Sequence, residues 1–313
     1  MKMKIKMRIM IFFFSIIMVN AQTLPVKIAG SEEDICMNPT ISPNGELVAF
    51  TKAGYQGIWI FKFSDNSINQ ITDEIAAGFA MQWSPDSKFI LSRPAYYDGP
   101  IRYNAVKIYN VETAEAVLLT DYRTKMPSLP QWSDYNEKAF IVTDNKPEIF
   151  STGLTASQQQ KQNLPGILVY ITNDDKIGVT NIADNSNRIF EPIPGKKCMN
   201  LSLSPDMQRV AFEIYGGNLY SMKIDGTELT DLGKGYRAKW MADSQHLIYM
   251  ITEDDGYQFT SSDIYTIKFD GTEKRNITNT TDKIELSPSA SLINNKIVFE
   301  VFDEGAIYFM NLD

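Results

Sequence analysis

The stretch "MQWSPDSKFILSR", residues 81–93, decides the fold because related stretches recur along the chain. It joins one of only four tryptophans to a Ser-Pro-Asp-Ser turn and then to a strand-like run. Alone, Ser84 and Asp86 would invite a catalytic reading. The relatives are "ISPNGELVAF" from Ile41, "WSDYNEKAFI" from Trp132, "LSPDMQRVAF" from Leu203 and "WMADSQHLIY" from Trp240, with a fainter "ASLINNKIVF" from Ala290. In each, an apolar residue opens a polar turn and an apolar β-type run follows. Recurrence of this kind marks architecture. Serine and aspartate accept backbone N–H bonds in turns, and proline presets the bend. No catalytic role is therefore assigned to Ser84 or Asp86.

The rest of the unit repeats as well. A third strand follows, as in "GIWIFKFS" at 57–64, "NLYSMKID" at 218–225 and "DIYTIKFD" at 263–270. Asp225-Gly226 and Asp270-Gly271 then supply the positive φ that tight hairpins need. A fourth strand is expected to end in a branched apolar residue, threonine and an acid or amide: Ile71-Thr72-Asp73, Leu119-Thr120-Asp121, Leu229-Thr230-Asp231 and Ile277-Thr278-Asn279. Four short strands per unit describe a blade of a β-propeller. The expected fold is all-β, without amphipathic helices. The last unit is one strand short, and "LPVKIAG" at 24–30 is the spare strand that would complete it, closing the ring between the chain ends. Openings at 41, 83, 132, 203, 240 and 290 count six blades. Two apparent hairpins between Trp132 and Leu203, at 139–152 and 167–182, allow seven. In the six-blade alternative one blade carries an inserted hairpin around "SQQQKQN".

Composition bounds the function. Lys2, Lys4, Lys6 and Arg8 precede an apolar run from Ile9 to Val19, and Val19-Asn20-Ala21 offers small residues for cleavage before Gln22. The run is too short for a bilayer, which needs roughly 20 residues. Residues 1–21 are thus expected to be a signal peptide and 22–313 a single propeller domain, periplasmic or secreted, with no membrane insertion after cleavage. Losing the four basic residues takes the formal charge from −8 to −12. An acidic chain without basic clusters is a poor partner for nucleic acid. Two cysteines, Cys36 and Cys198, leave a disulfide open. A single histidine, His246, excludes a multi-histidine metal site. It stands where Phe89 stands in the second unit and reads as a partly buried strand residue. Asp174-Asp175 and Asp254-Asp255 lack calcium-loop spacing. No metal or cofactor is expected.

The tandem "W-S-P-D-S" turns, the strand after each and the terminal "I/L-T-D" resemble the WD40-like propeller repeats of the TolB family of periplasmic proteins. The resemblance covers most of the chain after residue 21 and implies a TolB-like β-propeller. Only about 20 residues separate Gln22 from the first turn, so a stand-alone propeller without that family's preceding α/β domain is expected. Related propellers that cleave pectic oligosaccharides are expected to hold a metal through several histidines, which this chain lacks. No Gly-x-Ser-x-Gly nucleophile elbow is present either.

In a propeller, loops joining second to third strands share a face with loops joining one blade to the next. Here these are "RPAYYDGPIRYNA" at 93–105, "TEDDGYQFTSSD" at 252–263, "DYRTKMPS" at 121–128 and "DLGKGYRAK" at 231–239. They bring Tyr96, Tyr97, Arg102, Tyr103, Tyr122, Arg123, Tyr236, Arg237 and Tyr257 to one side. Tyrosine and arginine are the types enriched at binding hot spots, and arginine meets carboxylates bidentately. The leading reading is a non-enzymatic scaffold binding an envelope protein or peptide. The alternative is a carbohydrate-binding or carbohydrate-processing propeller whose tyrosines stack on sugars.

Overall fold

Seven antiparallel sheets, each built from consecutive hairpins, follow one another along the chain in a computed structural model of the protein. The structure describes residues 24–133, 135–156, 166–184 and 186–312. The expected signal peptide and the "SQQQKQN" segment lie outside the described residues. Blade 1 comprises Cys36–Ile41, Leu47–Lys52, Gln56–Lys62 and Ile68–Thr72. Blade 2 comprises Gln82–Trp83, Phe89–Ser92, Lys107–Asn110 and Ala116–Leu118, with the hairpin Ala95–Asp98/Ile101–Asn104 between its second and third strands. Blades 3 and 4 show three strands each among the described residues: Gln131–Ser133, Lys138–Thr143 and Lys146–Ser151, then Ile167–Ile171, Ile177–Asn181 and Ser186–Phe190. Blade 5 is Cys198–Leu203, Arg209–Ile214, Leu219–Lys223 and Thr230–Gly233, and blade 6 is Tyr236–Trp240, His246–Asp254, Phe259–Lys268 and Arg275–Asn276. Blade 7 takes Glu285–Ala290, Lys296–Val301 and Ala306–Asn311 from the end of the chain and Val26–Gly30 from its start. The fold is a seven-bladed propeller, and the six-blade alternative is overturned. The two hairpins that made the count ambiguous belong to separate sheets.

Each blade is buried against two neighbours. The described hydrophobic core divides into seven clusters, each spanning two consecutive blades, from Ala49, Ile60, Trp83 and Ile90 between blades 1 and 2 round to Ala29, Val298, Ile307 and Phe50 between blades 7 and 1. The second strands supply much of the bulk through Phe50, Phe140, Phe212, Tyr249 and Phe299, all fully buried. Alternation along the strands sends successive side chains to opposite faces of each sheet, so one strand feeds both of its interfaces.

The repeated tryptophans stitch neighbouring blades together. Trp83 Nε1 donates to the Thr40 carbonyl of blade 1 at 2.9 Å, Trp132 Nε1 to Gln82 O at 3.3 Å and Trp240 Nε1 to Ser202 O at 3.0 Å. The Ser-Pro-Asp turns are similarly structural. Ser84 Oγ accepts from Phe89 N at 2.9 Å and donates to Asp86 Oδ1 at 2.6 Å, and Ser204 and Asp206 repeat this in blade 5. Asp86 Oδ2 also accepts from Asn136 Nδ2 of blade 3 at 2.8 Å.

The threonine signature needs adjustment. Thr120 and Thr278 lie just beyond the fourth strands of blades 2 and 6, where their hydroxyls accept Val106 N and Ile264 N at 3.0 Å. In blade 5, Leu229 is exposed and Leu232 is the buried residue, because a register shift places Gly233 opposite Leu219. The only helical pieces among the described residues are the 3-10 turns Ala53–Tyr55 and Phe302–Glu304. Both cysteines are free and buried, at equivalent positions opening blades 1 and 5.

Replacing Trp240 with alanine is expected to cost about 3–5 kcal/mol, the usual range for a large buried aromatic. Trp240→Phe, which keeps most of the packing and loses the bond to Ser202, should cost clearly less. Denaturant unfolding of both variants checks the order.

Candidate functional site: the loop face

Strand direction alternates within a blade, so the links between second and third strands and those between blades emerge together, on what is called here the loop face. The opposite turn face carries Asx-type turns such as Asp65–Ser67, Asp225–Thr227 and Asp270–Thr272. Exposed aromatic side chains concentrate on the loop face. Tyr96, Tyr97, Phe79, Tyr215, Tyr257 and Phe302 are all there, whereas the large exposed apolar residues of the turn-face loops are the aliphatic Leu229, Leu292 and Ile293.

The richest region surrounds the blade 2 hairpin, which fills most of the long 93–105 segment. Gly99, at φ 56°, provides the left-handed residue for its two-residue loop. Cross-strand register pairs Tyr96 with Tyr103 and Tyr97 with Arg102, placing these pairs on opposite faces. The inner pair is fixed. Tyr96 stacks on Tyr103 with centroids 5.0 Å apart and meets Tyr122 edge-on at 4.8 Å. Backbone bridges tie the hairpin to both adjacent links, Ile75 to Ala95 and Asn104 to Arg123. Beneath it, Glu74 Oε1 accepts from Lys107 Nζ at 2.6 Å and Tyr122 OH at 3.2 Å, while Tyr109 OH donates to Oε2. Burial pushes this carboxyl up, but the three donors more than reverse that, leaving it below the usual range.

The outer pair is free. Tyr97 is 53% exposed, and Arg102 is exposed with its Nε donating to Asn104 Oδ1 at 3.0 Å and no carboxylate partner among the described residues. Arg123 is committed elsewhere: it holds Glu148 of blade 3 through two bonds of 2.9 Å. Thus Tyr97 and Arg102 are presented for contact, while Tyr96, Tyr103, Tyr122 and Arg123 hold the platform in place.

The remaining candidates separate. The 252–263 segment is mostly strand: the central hairpin of blade 6 is extended, with Tyr257 at its tip, 98% exposed. Asp254 and Asp255 accept the backbone N–H groups of Gly256, Tyr257 and Gln258 there, a turn-capping role. Tyr236 is half-buried against the core between blades 6 and 7. Arg237 lies in the first strand of blade 6, exposed, with Nη1 donating to Ser287 Oγ of blade 7 at 2.8 Å. Sequence reasoning missed Ile75, Phe79, Phe259 and Phe302. All four are exposed on this face, with Phe79 edge-on to Tyr55 at 4.9 Å and Phe259 to Phe302 at 6.5 Å. Their only signal was an apolar residue in a segment read as a link.

His246 is half-buried at the start of its strand, with Nδ1 2.5 Å from Asp243 and Nε2 3.3 Å from Glu273. No cluster of three or more metal-ligating side chains occurs among the described residues. Glu285, in the first strand of blade 7, accepts from Thr280 Oγ1 at 2.8 Å, and its other oxygen has no hydrogen-bond partner among the described residues. Burial, with Asp263 nearby, pushes its carboxyl up from 4.5 to about 7. A folded-state value above the unfolded one means the folded protein holds the proton more tightly. The associated stability is present below about pH 4.5 and lost as pH rises through about 7. Glu285→Gln should therefore melt like the parent near pH 4.5 and higher than it above pH 7, as read by thermal scans across that window.

No protein-family model matches the sequence, and no curated protein matches it. Solved structures do match in shape. A putative TolB from Agrobacterium tumefaciens is 12% identical, with a TM-score of 0.55 over 90% of this chain and 91% of that one. The Cps50 (Swd1) β-propeller domain of Myceliophteria thermophila is 9% identical, with a TM-score of 0.62 over 94% and 99%. An oligogalacturonate lyase in complex with manganese is 12% identical, with a TM-score of 0.50 over 90% and 77%. At these identities the likeness speaks for the fold, and the fold is that of a TolB-like, WD40-like propeller.

Proposed function

We propose that this protein is an exported, non-enzymatic scaffold of the bacterial cell envelope, which binds a protein or peptide segment through the loop face around the blade 2 hairpin. The observation that carries this reading is the division of labour within the hairpin. One side is locked by stacked tyrosines, while the other offers to solvent Tyr97 and Arg102, whose guanidinium has no carboxylate partner among the described residues. A tyrosine and an arginine side by side on a hairpin whose other face is locked is the composition of an interface hot spot, because the backbone that carries them need not be ordered on binding. Ile75 and Phe79 extend the apolar area on the adjacent link. The propeller neighbours support a scaffold role by analogy of fold only. Export rests on the basic and apolar start of the chain.

Two measurements test this. Crosslinked capture from the cell envelope should recover a specific partner, with Tyr97→Ala and Arg102→Ala each weakening it by about 30-fold, the scale of a hot-spot loss. Their melting temperatures should stay unchanged, and Ile293→Ser on the turn face should capture normally. Parent-like capture by both loop-face variants sinks the proposed face. An oligosaccharide panel that quenches tyrosine fluorescence would favour the carbohydrate alternative, and turnover of any member would overturn the non-enzymatic reading. The exported protein should also begin at Gln22 by N-terminal sequencing.

A further inference from the structure

The innermost strands carry a repeated distortion. Asn38, Ala80, Asn200, Arg237 and Ser287 occupy equivalent places near the loop-face ends of blades 1, 2, 5, 6 and 7, and each has φ between 50° and 54°. Register shifts mark a bulge there in blades 1, 5, 6 and 7. A bulge leaves a backbone N–H without its ladder partner, and the preceding blade supplies an acceptor. Glu213 accepts Arg237 N at 2.6 Å, Glu300 accepts Asn38 N at 2.5 Å, and Met250 Sδ lies 3.5 Å from Ser287 N. Both carboxylates are therefore occupied by structural bonds, and both are buried.

The bulge at Arg237 re-aims the strand so that Arg237 and Lys239 are exposed while Ala238 and Trp240 are buried. Trp240 points back to blade 5. Arg237 points forward, its Nη1 donating to Ser287 Oγ of blade 7 at 2.8 Å. Lys239 reaches solvent although protein surrounds it, the situation of a side chain standing in the central channel. Among the described residues its ammonium has no hydrogen bond or ion pair, and Arg237 has no carboxylate within ion-pair distance of its guanidinium. Burial and the neighbouring guanidinium hold Lys239 below its usual range, while burial holds the carboxyls of Glu213 and Glu300 above theirs. Glu213 acts on both cations and Glu300 on Arg237, but the described bonds of these carboxylates go to the N–H groups of Arg237 and Asn38, so the ammonium of Lys239 is left without an acceptor among the described residues.

From this juxtaposition we infer that Arg237 and Lys239 form a binding site for a small oxyanion, a carboxylate or a phosphate, inside the channel near its loop-face mouth. Arg237 and Lys239 stand on one strand with only the buried Ala238 between them, and a group with several oxygens can accept from both side chains. Such an anion relieves the like-charge repulsion between the two cations and satisfies donors that the fold leaves open.

Calorimetric titration of the intact protein at low ionic strength, with succinate and with inorganic phosphate, tests the site. Saturable binding of at least one anion is expected, with Lys239→Met weakening it tenfold or more at an unchanged melting temperature. Preference for succinate assigns a carboxylate ligand, and preference for phosphate a phosphate. If Lys239→Met is destabilised, Lys239→Arg must retain the binding. No saturable heat with either anion, or parent-like affinity in Lys239→Met, overturns the site. Because the probe is a small anion, this outcome is separate from capture of a macromolecular partner on the loop face.

Discussion

The pairing of Val26–Gly30 with Ala306–Asn311 is the constraint on which the rest depends. No blade has an interior of its own, since every described core cluster is shared by two consecutive sheets. A chain of such blades left open would expose an apolar face at each end. Closing the circle converts both faces into a seventh interface, through Ala29, Val298 and Ile307 on one side and Cys36, Val48 and Phe50 on the other. Polar groups reinforce the joint at the surface: Glu304 takes Lys27 at 2.8 Å and Lys283 at 3.0 Å, and Cys36 N donates to Gly305 O at 2.8 Å. The exposed ion pairs contribute little individually. The buried interface holds the ring.

A closed ring also explains the division between its two faces. Short turns on one side need only their own Asp, Ser and Gly residues, and they are occupied with capping backbone N–H groups and touching the next turn. Links on the other side must cross between blades or connect strands of unequal length, so they have room for insertions. The hairpin of blade 2 and the extended strands of blade 6 are both insertions of this kind. They rise from blades separated by blades 7 and 1, leaving the channel mouth between them.

Much of the architecture was legible because it is written in local chemistry. Trp83, Trp132 and Trp240 announce their blades, Ser84 and Ser204 their turns, and Gly226 and Gly271 their hairpins. Blade 4 was ambiguous because it lacks this vocabulary: its described strands begin at Ile167, and its turn uses Thr172, whose Oγ1 accepts Lys176 N at 3.0 Å. The loop-face tyrosines were legible as a group, and the hairpin's two-sided arrangement was not, since it depends on register. Arg237 was read as a loop residue because nothing in "DLGKGYRAK" signals a left-handed bulge at a non-glycine position. Phe79 and Phe302 escaped notice because an isolated apolar residue in a link looks the same whether buried or exposed.

The closure has a consequence in time as well as in space. The strand that completes the ring precedes every other described strand and pairs with the last of them, so it waits longest for its partner. Until then its backbone edge, and the matching edge of the final hairpin, stay open to any other extended chain. Contacts of such long sequence separation form slowly. Val26–Gly30 is therefore where this propeller is most vulnerable while it folds, although in the finished molecule it is part of the seal.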